Sequence, residues 1–563
     1  MQDGPDRWIR NPGPKKPASN LLAACSTDNS IVTQTILDVL KEGGNAIDAV
    51  IAGAMVQAAV EPFMTNHAGT VTCLYYEAAT GRRYQLDSAG FLPHDVGLVR
   101  TVPARSYGWG AIPPVCCLPG FMPGMKALHE RFGTMGWDRL TRDAIEWAEE
   151  GHYVSSHEYA VNIWLKDLYF YFPEGRKFYM PDGHMVPVGE RFRLPDLAKT
   201  LRGVAAEGPD YMITGPWARD FVARANALGW NIELRHLRQT PPRWLEPHTF
   251  HHRGLEVVNL ALPQQQGALL KFMFGVFEHI GLRDFEPGSA EHLFIMGHAL
   301  RLGLYHTCML GDPLVSDYAV DAIGDSAFHR AHAKIIRGLM PKVDLSEHVR
   351  ITKGPGVIGH KMLDAGEMEA SDGSPKPSIG SCELSIVDRD GNWVQLLNTM
   401  QTGGIPGAVV GGVLMSGTHA NFSGLTGFIG ARIAPGARLR QPVGSTIVFR
   451  DGQPYFSLGT PGSPHSTVSQ VMANLIEFDL DPVTAIDAPR MLVLAEDGSL
   501  TIEDRVSPQA AAKLTSMGIL PRALAPYDWQ MGSFQMCMRD VETGLLTAFA
   551  DPRRCGVADG IPA

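Results

Sequence analysis

The run AIDAVIAGAMVQAAV, Ala46 to Val60, is apolar on every side except at Asp48 and Gln57. It falls short of the roughly 20 apolar residues a membrane span needs, so it reads as a helix buried all round. The segment before it, SIVTQTILDVLKEGG, predicts a helix capped near Asn29–Ser30 and stopped at Gly43–Gly44, after which Asn45 caps the buried helix. PGFMPGMKALHERFG, DRLTRDAIEWAEEGHYV, LPDLAKTLRGVAAEG and GPWARDFVARANALG repeat one plan of Pro or polar start, amphipathic run and Gly stop. Between the early helices, TVTCLYYEAATGRRYQLDSA alternates around a Thr-Gly turn as a hairpin does.

After about residue 350 strands take over. CELSIVD, WVQLLNT, VGSTIVFRDGQPYFSLGT with a turn at Asp451–Gly452, and MCMRDVETGLLTAFAD with a turn near Thr543–Gly544 are interleaved with the helices TVSQVMANLIEF and SPQAAAKLTSMG. Strands from both halves with helices outside predict a layered α+β protein rather than a βαβ parallel sheet. LLKFMFGVF reads as helix core, and the adjacent His251 and His252 as surface residues. No GxGxxG follows a strand, and neither a Walker A sequence nor HExxH occurs.

The formal net charge of −10 and the absence of a long basic run argue against nucleic-acid or membrane-surface partners. The eight cysteines include no CxxC pair, and adjacent Cys116 and Cys117 are poorly placed to bridge each other. Reduced, buried thiols in a cytoplasmic protein are the expectation. The polar, Pro-rich start MQDGPDRWIRNPGPKKPASN, without the apolar core of a secretory signal, agrees.

GSPKPSIG, Gly373 to Gly380, has the composition of an exposed, cleavable linker. Directly after it a strand begins with two potential nucleophiles side by side, Ser381 and Cys382. A hydroxyl is a poor nucleophile at its free pKa and needs a base close by. If the Gly380–Ser381 bond is cut, the new α-amine, with a reference pKa of about 7.7–8.0, can be that base. An uncut amide nitrogen cannot. Gly380 permits the strained backbone that an N-to-O acyl shift requires.

Several segments, in one order, resemble the γ-glutamyltransferases among the N-terminal-nucleophile (Ntn) hydrolases. They are GGNAIDAVIAGAMVQAAVEPFM, LPGFMPGMKALHERFGTMGW, AEEGHYVS, LPDLAKTLRGVAAEGPDYMITG, MLGDP, SCELSIVDRDGNWVQLLNTMQ and GTPGSPHSTVSQVMANLIEFDLDPVTAIDAPR. The resemblance implies a four-layer αββα sandwich made of two chains cut from one precursor. Residues 1–380 would form the large subunit region, ending in a linker near 365–380, and 381–563 the small one, with the two chains associating with each other. It implies an amide hydrolase or acyltransferase for a small-molecule amide, with no cofactor and no metal, and leaves homo-oligomer formation open.

Matching SIVDRDGN to the family pattern makes Ser381 the nucleophile, where the family has Thr. Thr399 matches the Thr bonded to the nucleophile, and Gly462 and Ser463 match the two glycines of the oxyanion hole. The family's Thr-Thr-His is Ser381-Cys382-Glu383 here. Substrate-gripping positions also differ. Ala89 stands at the carboxylate-binding Arg, Gln401 at an Asn, Thr418 at a Glu, Ala420–Asn421 at an Asp pair, and Gln441–Pro442 at paired serines. Losing a bidentate guanidinium is not neutral. The pattern predicts an acyl group other than γ-glutamyl; a conventional glutathione hydrolase, or a non-catalytic unprocessed relative, are the alternatives. His67, His419 and His465 are candidate pocket residues, as is Glu383 on the strand face of Ser381. Arg438 and Arg440 face either an anionic substrate or solvent.

Overall fold

A computed structural model describes residues 4–90, 118–340, 381–400, 407–415, 436–438 and 443–563, apart from a few residues within 165–171, 229–230, 239–241, 308–318 and at 496. Gly380, Gln401, Thr418, His419, Ala420, Asn421, Arg440, Gln441, Pro442, Cys116 and Cys117 lie outside the described residues.

Among the described residues thirteen strands form one hydrogen-bonded system that folds back on itself. In chain order they are β1 (Ala18–Thr27), β2 (Thr70–Glu77), β3 (Arg82–Ser88), β4 (Arg243–Leu245), β5 (His248–His252), β6 (Leu255–Asn259), β7 (Cys382–Val387), β8 (Trp393–Thr399), β9 (Thr446–Arg450), β10 (Gln453–Gly459), β11 (Gln535–Arg539), β12 (Leu546–Ala550) and β13 (Val557–Pro562). Their order is β4-β3-β2-β8-β7-β1-β12-β11-β10-β9-β6-β5, with β13 also paired to β1. The turn-over happens at β1. Ala18 and Leu21 pair with β12, whereas Ala24–Thr27 pair with β7 on one side and β13 on the other.

The two halves of this system face each other. Ser385 Oγ of β7 meets Ser457 Oγ of β10 at 3.0 Å, and Ser26 Oγ of β1 donates to Gln535 Oε1 of β11 at 2.6 Å. These strands are not ladder neighbours, so the bonds cross between sheets. Alternation along each strand sorts the apolar residues into three clusters. Leu74, Trp393, Leu397, Val387, Ile447 and Phe449 fill the space between the sheets. Cys73, Leu384, Ile386, Val394 and Leu396 point outward to α1 (Ser30–Lys41), α2 (Ala46–Val60), α3 (Phe121–Phe132) and α4 (Trp137–Glu150). Val257, Val448, Phe456, Leu458 and Met536 point the other way, to α5 (Gln266–Ile280), α6 (Ala290–Thr307) and α7 (Pro464–Ile476). Three apolar layers between four structural ones make an αββα sandwich.

The buried run is α2, every residue of which is enclosed, and Asn45 and Asp48 form its capping box. Asp48 also accepts from the backbone of Thr134 and Met135, which ties α2 to the start of α4. The Asp451–Gly452 turn is left-handed at both residues (φ 52° and 76°), as a two-residue hairpin requires. One surface assignment is corrected: His252 is buried and bonded to Glu477, which also accepts from Arg253 Nε at 2.8 Å, while His251 is exposed. A buried carboxylate draws in the imidazole, a constraint that a short polar run does not display. The five described cysteines that are free include four buried ones. Among the described residues no helix is long and apolar enough to cross a membrane.

Candidate active site

Ser381, half-buried, stands at the entry to β7. The β7–β8 register pairs Leu397 with Glu383 and Asn398 with Cys382, so the next rung sets Thr399 opposite Ser381. Parity then separates the two nucleophile candidates. Ser381, Glu383 and Ser385 share the inter-sheet face with Gln395, Leu397 and Thr399, whereas Cys382 and Asn398 face the helices. Cys382 is buried, and its thiol donates to Glu61 Oε2 at 3.4 Å. Burial, then the neighbouring Glu61, pushes that thiol well up, away from the reactive thiolate.

The second sheet supplies the opposing wall. β10 ends at Gly459 and the chain turns through Thr460–Pro461–Gly462–Ser463 into α7. Gly462 (φ 71°) and Ser463 (φ 42°, ψ 43°) are both left-handed, a rare posture for Ser463. Its Oγ donates to Gln530 O at 3.0 Å, which supports the posture. The N–H groups of Gly462 and Ser463 find no acceptor among the described residues. They lie at the N-terminus of a thirteen-residue helix, where the dipole favours negative charge.

Arg554 joins the two walls. Its Nη1 donates to the Ser381 carbonyl at 3.4 Å, and a Cβ built on Gly462 would come within 2.6 Å of its Nη2. Ser381 and Gly462 therefore flank a single guanidinium. Arg554 is itself buried, and among the described residues its Nε and Nη2 have no hydrogen-bond partner. Asp28 and Glu61 are the nearby acids, and burial raises both above the ordinary carboxylate range. Ser533 Oγ (2.6 Å) and Gln535 Nε2 (2.8 Å) donate to Asp28, and Gln57 Nε2 (2.9 Å) to Glu61. None of Arg554, Asp28 and Glu61 was singled out by sequence reasoning. The available signal was slight: Glu61 closes an otherwise nearly uncharged helix, and Arg554 follows another arginine.

Glu383 has no exposed surface, and burial pushes its carboxyl up to about 8. Ala89 is buried just beyond β3, and Arg438 Nη1 donates to its carbonyl at 3.3 Å. Arg438 is buried rather than solvated, and its backbone N–H donates to Asp312 Oδ2, which Arg243 also engages at 2.7 Å. The Met64–Gly69 backbone runs beside Thr399–Met400, with Met400 N donating to Met64 O at 3.3 Å. The His67 ring nevertheless turns into the helix layer, bonded to Met55 O at 3.0 Å and packed on Phe121. Burial lowers its pKa to about 4, leaving it neutral. His465, half-buried in the first turn of α7, contacts Gln265 at 2.8 Å. The structure thus brings Ser381, Thr399, Glu383, Gly462 and Ser463 together, and it turns the ring of His67 away from the inter-sheet face.

This sandwich, with a strand-initial hydroxyl facing the gap between its sheets, is the architecture of an Ntn hydrolase. The family profile described as Gamma-glutamyltranspeptidase matches residues 32–561, so the chain belongs to that family. It is accordingly an enzyme of the Ntn amidohydrolase and acyltransferase type, made as a self-processing precursor. A glutathione hydrolase proenzyme of Pseudomonas aeruginosa is 27% identical, aligned over 92% of this chain and 91% of its own length. An acylase ACY 1 proenzyme of Pseudomonas sp. (strain SE83) is 25% identical, covering 90% and 88%. Among solved structures, the cephalosporin acylase of Bacillus halodurans superposes with TM-score 0.80 at 21% identity, over 100% of this chain and 99% of that one. At that identity the superposition speaks for the fold alone.

Proposed function

We propose that residues 1–380 and 381–563 become two chains and that Ser381, freed at its amino end, hydrolyses an amide whose acyl group is not γ-glutamyl. In the precursor, Ser381 Oγ attacks the Gly380 carbonyl, the peptide shifts from N to O, and water opens the ester. In the mature enzyme the Ser381 α-amine takes the Oγ proton as Oγ attacks the substrate carbonyl. The oxyanion is held by the N–H groups of Gly462 and Ser463, where loss of one donor typically costs about 10²–10³ in rate. The α-amine returns the proton to the leaving amine, and water resolves the acyl-ester. Thr399, on the next rung, orients Oγ. The observation that carries this reading is the Arg554 guanidinium, which touches the Ser381 carbonyl and lies against Gly462.

The acyl preference rests on Ala89, which offers a methyl where the family's pattern has a carboxylate-binding guanidinium. Hydrogen bonds to charged groups are worth about 1.5–3 kcal/mol each. One observation favours the second reading, a conventional γ-glutamyl enzyme: buried Arg438 reaches the Ala89 carbonyl and brings a cation to that corner. Purified enzyme assayed with γ-glutamyl-, acetyl- and butyryl-p-nitroanilide separates the two. The first reading expects kcat/KM for the γ-glutamyl compound to be no higher than for the others. Preferential γ-glutamyl release that Arg438→Met abolishes would establish the second.

A further inference from the structure

The acid two residues beyond Ser381 has no exposed surface, so its role is defined by what its carboxyl holds. Oε1 of Glu383 accepts from Ser445 Oγ at 2.7 Å and from Gln395 Nε2 at 2.9 Å. Gln395 belongs to β8, beside the nucleophile strand. Ser445 precedes β9 in the opposite sheet, on the rung facing Gly459, because Thr446 pairs with Leu458. Gly459 leaves room for the carboxyl and nothing larger: a Cβ there would lie 2.2 Å from Glu383 Oε1 and 2.7 Å from Gln395 Nε2. One step deeper, Ser385 Oγ meets Ser457 Oγ at 3.0 Å. Ser385 faces Ser457, and Glu383 faces Gly459. The same two-residue step on each strand leads to Ser381 on one side and Pro461–Gly462 on the other. Glu383 is the last cross-sheet tie before the two halves of the site.

We propose that Glu383 is a positioning residue for the reaction, its single carboxyl holding the nucleophile strand and the oxyanion turn in register across the sheet interface. This rests on the roles given above to Ser381, Gly462 and Ser463. Protonation decides whether the tie is sound. Among the described residues Oε2 has no hydrogen-bond partner, and an ionised oxygen in that state is costly. The acting titratable groups are Asp28, whose charge raises the Glu383 pKa, and Cys73 on β2, whose own thiol Glu383 raises; among the described residues no cation faces it. The donors Ser445 and Gln395 favour the ionised form but burial outweighs them, so the neutral acid is the competent form, and ionisation near pH 8 draws water to the carboxylate and loosens the junction.

The test compares wild type, Glu383→Gln and Glu383→Ala, each checked by N-terminal sequencing and thermal melting. The acylation rate with p-nitrophenyl acetate is then followed from pH 6 to 9.5. The amide is a neutral mimic that keeps the Oε1 acceptor. Glu383→Gln should be cut and acylated at close to the wild-type rate, but without the alkaline decline. Glu383→Ala should lose acylation by on the order of 10²-fold, the usual consequence of misplacing reacting groups by about 1 Å. An unchanged alkaline limb in Glu383→Gln, or wild-type acylation in a folded Glu383→Ala, overturns the proposal. If wild type itself shows no label on Ser381 by peptide mass spectrometry, the underlying reading fails instead.

Discussion

Arg553 is fully buried, and its guanidinium makes five hydrogen bonds. Nε and Nη2 grip the two oxygens of Glu503, each at 2.7 Å; Nη1 reaches Asp551 Oδ1 (3.3 Å) and Ile486 O (3.0 Å); and Nη2 also reaches Ala488 O (2.8 Å). Arg553→Met keeps most of the stem volume and removes every donor. Ile486 O retains Arg490 and Glu503 Oε2 retains Arg505, but Glu503 Oε1 and Ala488 O are left without these partners. Removing one partner of a buried ion pair costs about 3–5 kcal/mol, against a total stability of about 5–15 kcal/mol. Urea unfolding at pH 7 should register this loss. Arg522→Met, which breaks the exposed pair with Asp497, should cost under about 1 kcal/mol. The double variant Arg553→Met/Glu503→Gln should recover part of the loss, since the Oε1 position that Arg553 no longer engages then carries no charge. A cost for Arg553→Met as small as that for Arg522→Met would refute the reasoning.

Gly459→Ala must displace the Glu383 carboxyl, so stability should fall by about 1–3 kcal/mol and self-cleavage should slow, read by melting and gel densitometry. Gly69→Ala would press a Cβ to 2.3 Å from the Thr399 carbonyl, and loss of cleavage with the helices intact by circular dichroism is expected. Cys382→Ala should still be cut and acylated, and iodoacetamide at pH 8 should spare Cys382 in the native protein, as peptide mapping will show. For Glu383 the folded value of about 8 exceeds the ordinary 4.5. Its contribution is therefore fully present below about pH 4.5 and lost as pH rises to about 8, by at most about 5 kcal/mol. Denaturation midpoints of Glu383→Gln should consequently fall less between pH 5 and pH 8.5 than those of wild type.

Helices with polar caps and Gly stops were legible in the sequence because their signals are local, and so were the three hairpin turns at Thr80–Gly81, Asp451–Gly452 and Thr543–Gly544. The strand at Ala18–Thr27 was not. Its partners β7, β12 and β13 all lie within residues 382–562, and no window of residues contains that pairing. In the site, Ser381, Thr399 and the Gly462–Ser463 turn could be named from ordered motifs. The acids and arginine packed around them could not, because Asp28, Glu61 and Arg554 meet only in three dimensions. Glu383 was visible as an odd residue. Its link to Ser445 and Gly459 needed the opposing sheet.

The central claim is that one peptide bond becomes the catalytic amine, and intact-mass analysis with N-terminal sequencing of purified active protein tests it most directly. The account predicts two chains, the smaller beginning Ser-Cys-Glu-Leu, and a Ser381→Ala variant that stays whole and inactive. An active preparation that remains a single chain, or a Ser381→Ala chain still cut before Cys382, would contradict it.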